Sequence, residues 1–430
     1  MDAKVCGGTA LRGTVTISGS KNAVIPIICA SLLAKGKVLL RNVPRISDVF
    51  DLCKILEAVE CRIVFKSHTM LIDNTSLKYK PLLLEECSRI RGSYYLIGVF
   101  LSIFGRCEIS LPGGCEIGNR PIDIHLKAFS DMGYFYEIKN NSLVIYRKKL
   151  KESTDIILKN KSVGASINAL FASICLDSVI IRNVLFEPEG KDVIHFLTKI
   201  GYQIKLESEC IAYKKSKIDY KLIKHTIIPD RIETMTYVVA GLLSGDVKVK
   251  NCMTKHLEEP LRILKEAEFS VEYTDNEIRA KKSFGKNMNI VTSTYPGFPT
   301  DLQAIFGVLG TKCDLCNIEE TIFENRMQIY KDLKESNVEC CLQDNKVSIR
   351  KSEVVTKNYK SYDLRHGIAL ILLSILCKKQ IIIENFEYVL RGYDDVCSKF
   401  KALGYNIETI LEKSSWHVLK NTVKCLMVHF

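Results

Sequence analysis

With 430 residues, 47% of them hydrophobic and 26% charged, the chain is too long for one core and has the polar share of a globular protein, so two domains of about 200 residues are expected. Its apolar runs, such as 94–104 and 367–377 with 11 residues each, fall well short of the ~20 that a bilayer crossing needs, which excludes a spanning helix. The net charge of +12 is scattered over nearly every segment without a basic stripe, which argues against nucleic acid and suits a lysine-rich surface or a small anionic substrate.

The chain opens on a polar strand start at 1–8 and not on a cationic, apolar leader, so a cytoplasmic location is expected. Seventeen cysteines in that compartment read as reduced thiols. Cys313 and Cys316 have zinc-like spacing but fall in a predicted strand, which puts their thiols on opposite faces. The adjacent Cys340 and Cys341 share that problem, and burial is the expectation.

Along the chain one unit recurs. A short apolar strand is predicted at 36–42, 105–111, 177–183, 245–251, in degenerate form at 313–318, and at 379–385, so the copies start about 70 residues apart. An apolar helix precedes each strand, at 23–33, 94–104, 165–176, 236–244, 302–309 and 368–376. Being apolar nearly all round, these helices should be buried. An amphipathic helix follows each strand. In the last unit Tyr393, Val396, Phe400 and Leu403 share one face, Gly404 caps the end, and 405–410 alternates as a strand. Six units, three to a domain with their inner helices buried, describe an α/β protein whose period is too long for a solenoid.

The entries to the apolar helices are unusually polar. They read Ser18-Gly-Ser-Lys21-Asn22, Arg89-Ile-Arg91-Gly-Ser93, Lys161-Ser162-Val163-Gly164, Pro229-Asp230-Arg231-Ile-Glu233, Pro299-Thr-Asp301 and Tyr362-Asp363-Leu-Arg365. Capping accounts for Ser93, Asp230, Asp301 and Asp363. It does not account for Lys21, Arg91, Arg231 and Arg365, because cations oppose the positive end of a helix dipole. These point to helix starts gathered around bound anions, or to local pairing, as expected for Asp230, Arg231 and Glu233. A second arginine series, Arg120, Arg326 and Arg391, stands where the outer helices begin, and arginine suits bidentate binding of carboxylate and phosphate. Set among glycines in Leu111-Pro-Gly-Gly-Cys115-Glu-Ile-Gly-Asn-Arg120, Cys115 reads as a loop thiol whose thiolate nearby arginines favour.

With Phe323-Glu-Asn-Arg326 and Arg391-Gly-Tyr393, these motifs resemble, in order and spacing, the UDP-N-acetylglucosamine enolpyruvyl transferases, from the N-terminus to about Ile410. The resemblance implies an inside-out α/β barrel of two domains with three repeats each, 20–229 carrying the Cys115 loop and 1–19 with 230–430. It implies transfer of the enolpyruvyl group of phosphoenolpyruvate to the 3-hydroxyl of UDP-N-acetylglucosamine with release of phosphate, the first committed step of peptidoglycan synthesis. Lys21, Arg120 and Arg391 then resemble the clamp on the phosphate of phosphoenolpyruvate, with Arg91 close by. Arg326 and Arg365 resemble partners of its carboxylate and of the closing loop. Asn22 and Asp301 resemble contacts to the reacting sugar hydroxyl. Arg120, Pro121, Ile122, Asp123 and Ile124, with Ser162, Val163 and Gly164, resemble the uridine and diphosphate site, and Ile322 a neighbour of the sugar. Cys115 resembles the loop cysteine that forms an adduct with phosphoenolpyruvate and is the target of fosfomycin.

Adding an alcohol to C2 of an enol phosphate needs an acid, a base and a cationic clamp. Cys115 is the candidate acid and Asp301 the candidate base. No metal or other cofactor is required, since the arginines and Lys21 supply the charge. The protein is expected to be a monomer with no membrane or nucleic-acid partner. Met235, His366 and Leu390 depart from the family pattern of a small residue, a small residue and an acid. The shikimate-pathway enolpyruvyl transferase shares fold and reaction, but its acceptor motifs are not visible here. A silent paralogue that only senses the sugar nucleotide is disfavoured by the retained Cys115, Asp301, Lys21 and arginines.

Overall fold

The computed structural model describes residues 1–111, 122–216, 222–323, 325–355 and 357–410. These divide into two compact units, one made of residues 18–230 and the other of 1–17 together with 231–410. Cys115, Arg120 and Pro121 lie outside the described residues.

In the unit 18–230, the predicted strands form at Lys37–Arg41, Arg106–Ser110 and Ser178–Arg182, each within its own sheet. Lys37–Arg41 pairs in parallel with Ile223–Thr226 and antiparallel with Thr69–Asp73. Ser178–Arg182 repeats the pattern with Ser153–Ile157 and Cys210–Lys214. The alternation buries Val179 and Ile181 and turns Ile180 outward, as a sheet with one covered face requires.

The unit 1–17 with 231–410 holds three further sheets, centred on Asp246–Lys250, Cys313–Glu319 and Gln380–Glu384. The N-terminal strand Asp2–Cys6 belongs to the last of these, antiparallel to both Gln380–Glu384 and Asn406–Ile410. Gly404 supplies the left-handed turn, φ +87°, between the helix Val396–Ala402 and Asn406–Ile410. Among the described residues the strands make six separate sheets and close into no barrel.

Asparagine fixes the ends of four central strands. Asn42, Asn183, Asn251 and Asn385 have φ between +56° and +58°, which asparagine tolerates better than other side chains. Each Nδ2 donates to the carbonyl just beyond the parallel neighbour: Ile227 at 2.9 Å, Leu158 at 2.8 Å, Ile17 at 2.7 Å and Ser361 at 3.2 Å. The degenerate copy has Glu320 there instead. Its buried carboxylate accepts from Thr292 Oγ1 at 3.0 Å, beyond the parallel strand Gly285–Val291, and reaches further groups described below.

The apolar helices are buried along almost their whole length. Every residue from 23 to 31 in Lys21–Ser31 is buried, as is every residue from 231 to 243 in Arg231–Ser244 and from 303 to 310 in Gln303–Gly310. The burial expected for Cys313 and Cys316 is found in the fifth sheet: both are fully buried, Cys313 at the start of Cys313–Glu319 and Cys316 in phase with the buried Ile318. Burial pushes the Cys313 thiol up to about 12 and Cys316 further, so both are inert protonated side chains.

Candidate active site

In the unit 18–230, Lys21 opens the helix Lys21–Ser31, where a cation opposes the dipole. Two carboxylates hold it. Asp230 accepts the Lys21 backbone N–H at 3.0 Å, and Asp48 lies 2.8 Å from Nζ with both side chains largely buried. Asp48 comes from the first turn of the following amphipathic helix, Ser47–Ala58. Asn22, one residue on, is exposed.

A second group in this unit surrounds the short helix Arg91–Tyr94. Asn168, on the buried helix Val163–Ser173, inserts its amide into the first turn of Tyr95–Phe104. Oδ1 accepts from Gly98 N at 2.8 Å and Nδ2 donates to Tyr94 O at 2.8 Å. Gly98 permits this: a Cβ there would lie 2.4 Å from Asn168 O. The Asn168 amide also meets His125 Nδ1 at 3.1 Å. Burial, then the charge of Arg91, lowers the pKa of His125 to about 4, so the imidazole is neutral at pH 7. Ser162 caps Val163–Ser173 by accepting from Ala165 N at 3.3 Å, and a Cβ on Gly164 would touch the His125 ring at 3.5 Å. His125 thus stands near both Arg91 and Gly164, the latter following Ser162 and Val163 in the chain. Asp123 begins the helix that carries His125 and is exposed, with Ile122 and Ile124 half-buried on the core.

In the unit 1–17 with 231–410, the centre is Asp301. Its carboxylate is gripped by two guanidiniums, Arg326 Nη1 on Oδ1 at 2.8 Å and Arg365 Nη2 on Oδ2 at 2.6 Å. The arginine side chains are 6% and 7% exposed, and Asp301 is 22% exposed. Burial alone raises a carboxyl pKa, but here the charges of Arg365, Arg326 and Arg231 outweigh it and hold Asp301 well below the usual carboxylate range. Arg326 Nη1 also donates to Thr300 Oγ1 at 2.9 Å, and its Nε is buried with no hydrogen-bond partner among the described residues. Glu320 accepts from Thr300 Oγ1 at 2.7 Å and from the N–H groups of Ile322 and Phe323 at 2.8 and 3.0 Å. Ile322 is thereby presented outward, 38% exposed.

The capping expectation divides. Asp363 caps Leu364–Ile375, accepting from Arg365 N at 2.7 Å and His366 N at 3.0 Å. Asp301 makes no cap: it lies inside the short turn Thr300–Leu302 and spends its oxygens on the arginines. Ser93 donates to the carbonyls of Cys87 and Ile90. Of the residues expected to balance locally, Glu233 pairs with Lys399 at 2.5 Å, and Arg231 lies over the Tyr295 ring.

Residues 5–400 match the family described as EPSP synthase (3-phosphoshikimate 1-carboxyvinyltransferase). The UDP-N-acetylglucosamine 1-carboxyvinyltransferase of Halothermothrix orenii is 36% identical, covering 94% of this chain and 98% of that one. The protein of the same name from Pelagibacter ubique is 34% identical over 95% and 99%. This chain belongs to the UDP-N-acetylglucosamine 1-carboxyvinyltransferase family. Among solved structures, the enolpyruvyl transferase NikO from Streptomyces tendae is similar with a TM-score of 0.86 at 20% identity, over 95% of this chain and 98% of that one. EPSP synthase from Acinetobacter baumannii gives 0.74 at 16% identity, over 96% and 100%. At those identities the likeness is one of fold.

For a UDP-N-acetylglucosamine 1-carboxyvinyltransferase relative, the sequence departures have structural reasons. Met235 is fully buried in the core of its unit. Leu390 packs against the same core, and Arg391 follows it, half-buried, at the end of Glu387–Leu390. His366 is buried and bonds Asp332 Oδ2 through Nε2 at 2.8 Å, tying Leu364–Ile375 to Gln328–Glu335, while Nδ1 accepts from Tyr362 N at 3.3 Å. His366→Ala is therefore expected to lower unfolding free energy by ~1–3 kcal/mol in denaturant titration while kcat moves less than about two-fold. A tenfold fall in kcat at unchanged stability would instead put His366 in the chemistry.

Four groups escaped the sequence reading: Asp48, His125, Asn168 and Glu320. The signals were present as polar residues on apolar faces. Asp48 opens an amphipathic helix, Asn168 interrupts an apolar one, and Glu320 stands where four other copies have asparagine. Only the fold shows what each one touches.

Proposed function

We propose that this chain, as a cytoplasmic monomer, transfers the enolpyruvyl group of phosphoenolpyruvate to the 3-hydroxyl of UDP-N-acetylglucosamine, releasing phosphate, at the first committed step of peptidoglycan synthesis. The observation that carries the reading is the Asp301 carboxylate between two buried guanidiniums, in a chain 36% identical to a UDP-N-acetylglucosamine 1-carboxyvinyltransferase. The finer architecture proposed with it is the inside-out α/β barrel, each unit built from three repeats.

In the free protein Asp301 is a poor base, because Arg326 and Arg365 stabilise its charge. Phosphoenolpyruvate brings a carboxylate that competes for these guanidiniums, and the unused Arg326 Nε is a donor suited to it. As the arginines turn to the substrate, Asp301 recovers basicity and takes the proton of the sugar hydroxyl. The alkoxide oxygen bonds to C2 while C3 accepts a proton from Cys115. Loss of phosphate and of one C3 proton then leaves the enol ether. Lys21, Arg91, Arg120 and Arg391 neutralise the phosphate, and Asn22 holds the acceptor hydroxyl. Pro121, Ile122, Asp123, Ile124, Ser162, Val163 and Gly164 take the uridine and diphosphate, with Ile322 against the sugar.

Phosphate release with phosphoenolpyruvate and UDP-N-acetylglucosamine, against shikimate 3-phosphate as acceptor, tests the reading. Release is expected with the sugar nucleotide alone. Calorimetric binding of the sugar nucleotide without any phosphate release would make the protein a sensor.

Cys115→Asp is expected to keep turnover within about tenfold, since a carboxylic acid can also donate the proton, and to abolish covalent modification by fosfomycin. Mass spectrometry after incubation reads the adduct. Equal modification of variant and wild type would assign the nucleophile elsewhere.

A further inference from the structure

Among the described residues, one group of metal-ligating side chains lies apart from every residue given a role above. Asp192 and His195 stand at i and i+3 on the helix Pro188–Ile200, and His225 faces them from the strand Ile223–Thr226. A carboxylate oxygen of Asp192 and one ring nitrogen of each histidine lie within 4.8 Å of one another. Asp192 and His225 are buried, whereas His195 is exposed.

The orientation of the buried pair is informative. His225 Nε2 is 3.1 Å from Asp192 Oδ1, yet it is buried without a hydrogen-bond partner. The two atoms therefore lie side by side and do not point at each other. Two donors that share a tetrahedral cation at 2.0–2.1 Å are about 3.3 Å apart in this side-by-side manner. The other Asp192 oxygen is fixed by the N–H of Ile228 at 3.3 Å, which orients the carboxylate. Phe196 packs edge-on against the His225 ring at 5.4 Å and supplies an apolar wall.

We propose that Asp192, His195 and His225 form a binding site for a divalent transition-metal ion of the zinc, nickel or cobalt class, with water completing the coordination. Two imidazoles and one carboxylate are the donor set such ions favour over magnesium or calcium. The ion would tie the outer helix Pro188–Ile200 to the strand that leads into 227–230, the last residues of this unit. It stabilises this unit and takes no part in enolpyruvyl transfer. One group opposes it: Lys199 Nζ lies 3.4 Å from His225 Nδ1, and metal binding through Nε2 requires that exposed lysine to swing away. Lys199 is therefore a brake on affinity.

Full-length protein, stripped with chelator and with accessible thiols alkylated, would be titrated with Co²⁺ and with Zn²⁺ by visible absorption, calorimetry and thermal unfolding. Expected are one equivalent of bound ion, a d–d band without thiolate charge transfer, and a Tm raised by roughly 5 °C at a hundredfold excess over Kd. His195→Ala, an exposed change that spares folding, should weaken Co²⁺ binding tenfold or more and remove the Tm rise. Lys199→Gln should tighten binding several-fold. Equal Co²⁺ affinity in wild type and His195→Ala, or no d–d band at millimolar Co²⁺, would overturn the site and leave Asp192, His225 and Lys199 as a structural polar network.

Discussion

Asp301→Asn is expected to lower kcat by about 10²-fold or more, while UDP-N-acetylglucosamine binding by calorimetry weakens far less. The amide keeps the shape of the side chain but cannot take a proton. It also leaves Arg326 and Arg365, each nearly buried, facing a neutral group, so a stability loss of ~2–4 kcal/mol is expected alongside. The pH dependence separates the two effects. Because the folded pKa of Asp301 lies below its unfolded value, its contribution to stability is fully present above the unfolded pKa of about 4 and is lost as pH falls through the folded value. The stability gap between wild type and variant should thus be flat from pH 5 to 8 and narrow only below about pH 4. Near wild-type turnover in the variant would remove Asp301 from the mechanism. A gap that closes between pH 8 and 6 would show that the carboxylate is not held by the arginines in solution.

Lys21→Ala is expected to cost ~2–4 kcal/mol in kcat/KM for phosphoenolpyruvate, the usual effect of losing a preorganised charge at a developing or departing anion. Lys21→Arg should recover little of it. The ammonium sits 2.8 Å from Asp48 in a largely buried position, and a planar guanidinium cannot replace a compact charge there. Asp48→Asn should have a smaller effect, because it leaves the charge of Lys21 in place. Steady-state kinetics and denaturant titration would be run on all three. If Lys21→Ala lowers stability while its folded fraction keeps full kcat/KM, Lys21 only staples the helices Lys21–Ser31 and Ser47–Ala58 together.

Local pattern alone was enough for much of this molecule. The central strands and the apolar helices before them followed from alternation and all-round hydrophobicity, because both depend on which side chains must leave water. Asp363 was legible as a cap for the same local reason. The asparagines that end four strands were visible as a recurring letter, but their purpose was not. Each bonds a carbonyl far along the chain, such as Ile227 for Asn42 and Ile17 for Asn251.

The electrostatics of the candidate site were not legible either. In sequence, Asp301 was one of several acids at helix starts, and its neighbours Thr300 and Leu302 say nothing of Arg326 or Arg365. Those arginines arrive from 25 and 64 positions away, and their joint grip decides whether the carboxylate is a cap or a charged site group. Likewise Cys313 and Cys316 stand three residues apart on one strand yet are both fully buried, which alternation along the strand does not foretell. By itself, then, the sequence determined the element types and the inventory of charged groups, which depend on neighbours within a turn or a strand. The tertiary structure decided the partner of each charge, because burial and Coulomb interactions act through space and take no account of separation along the chain.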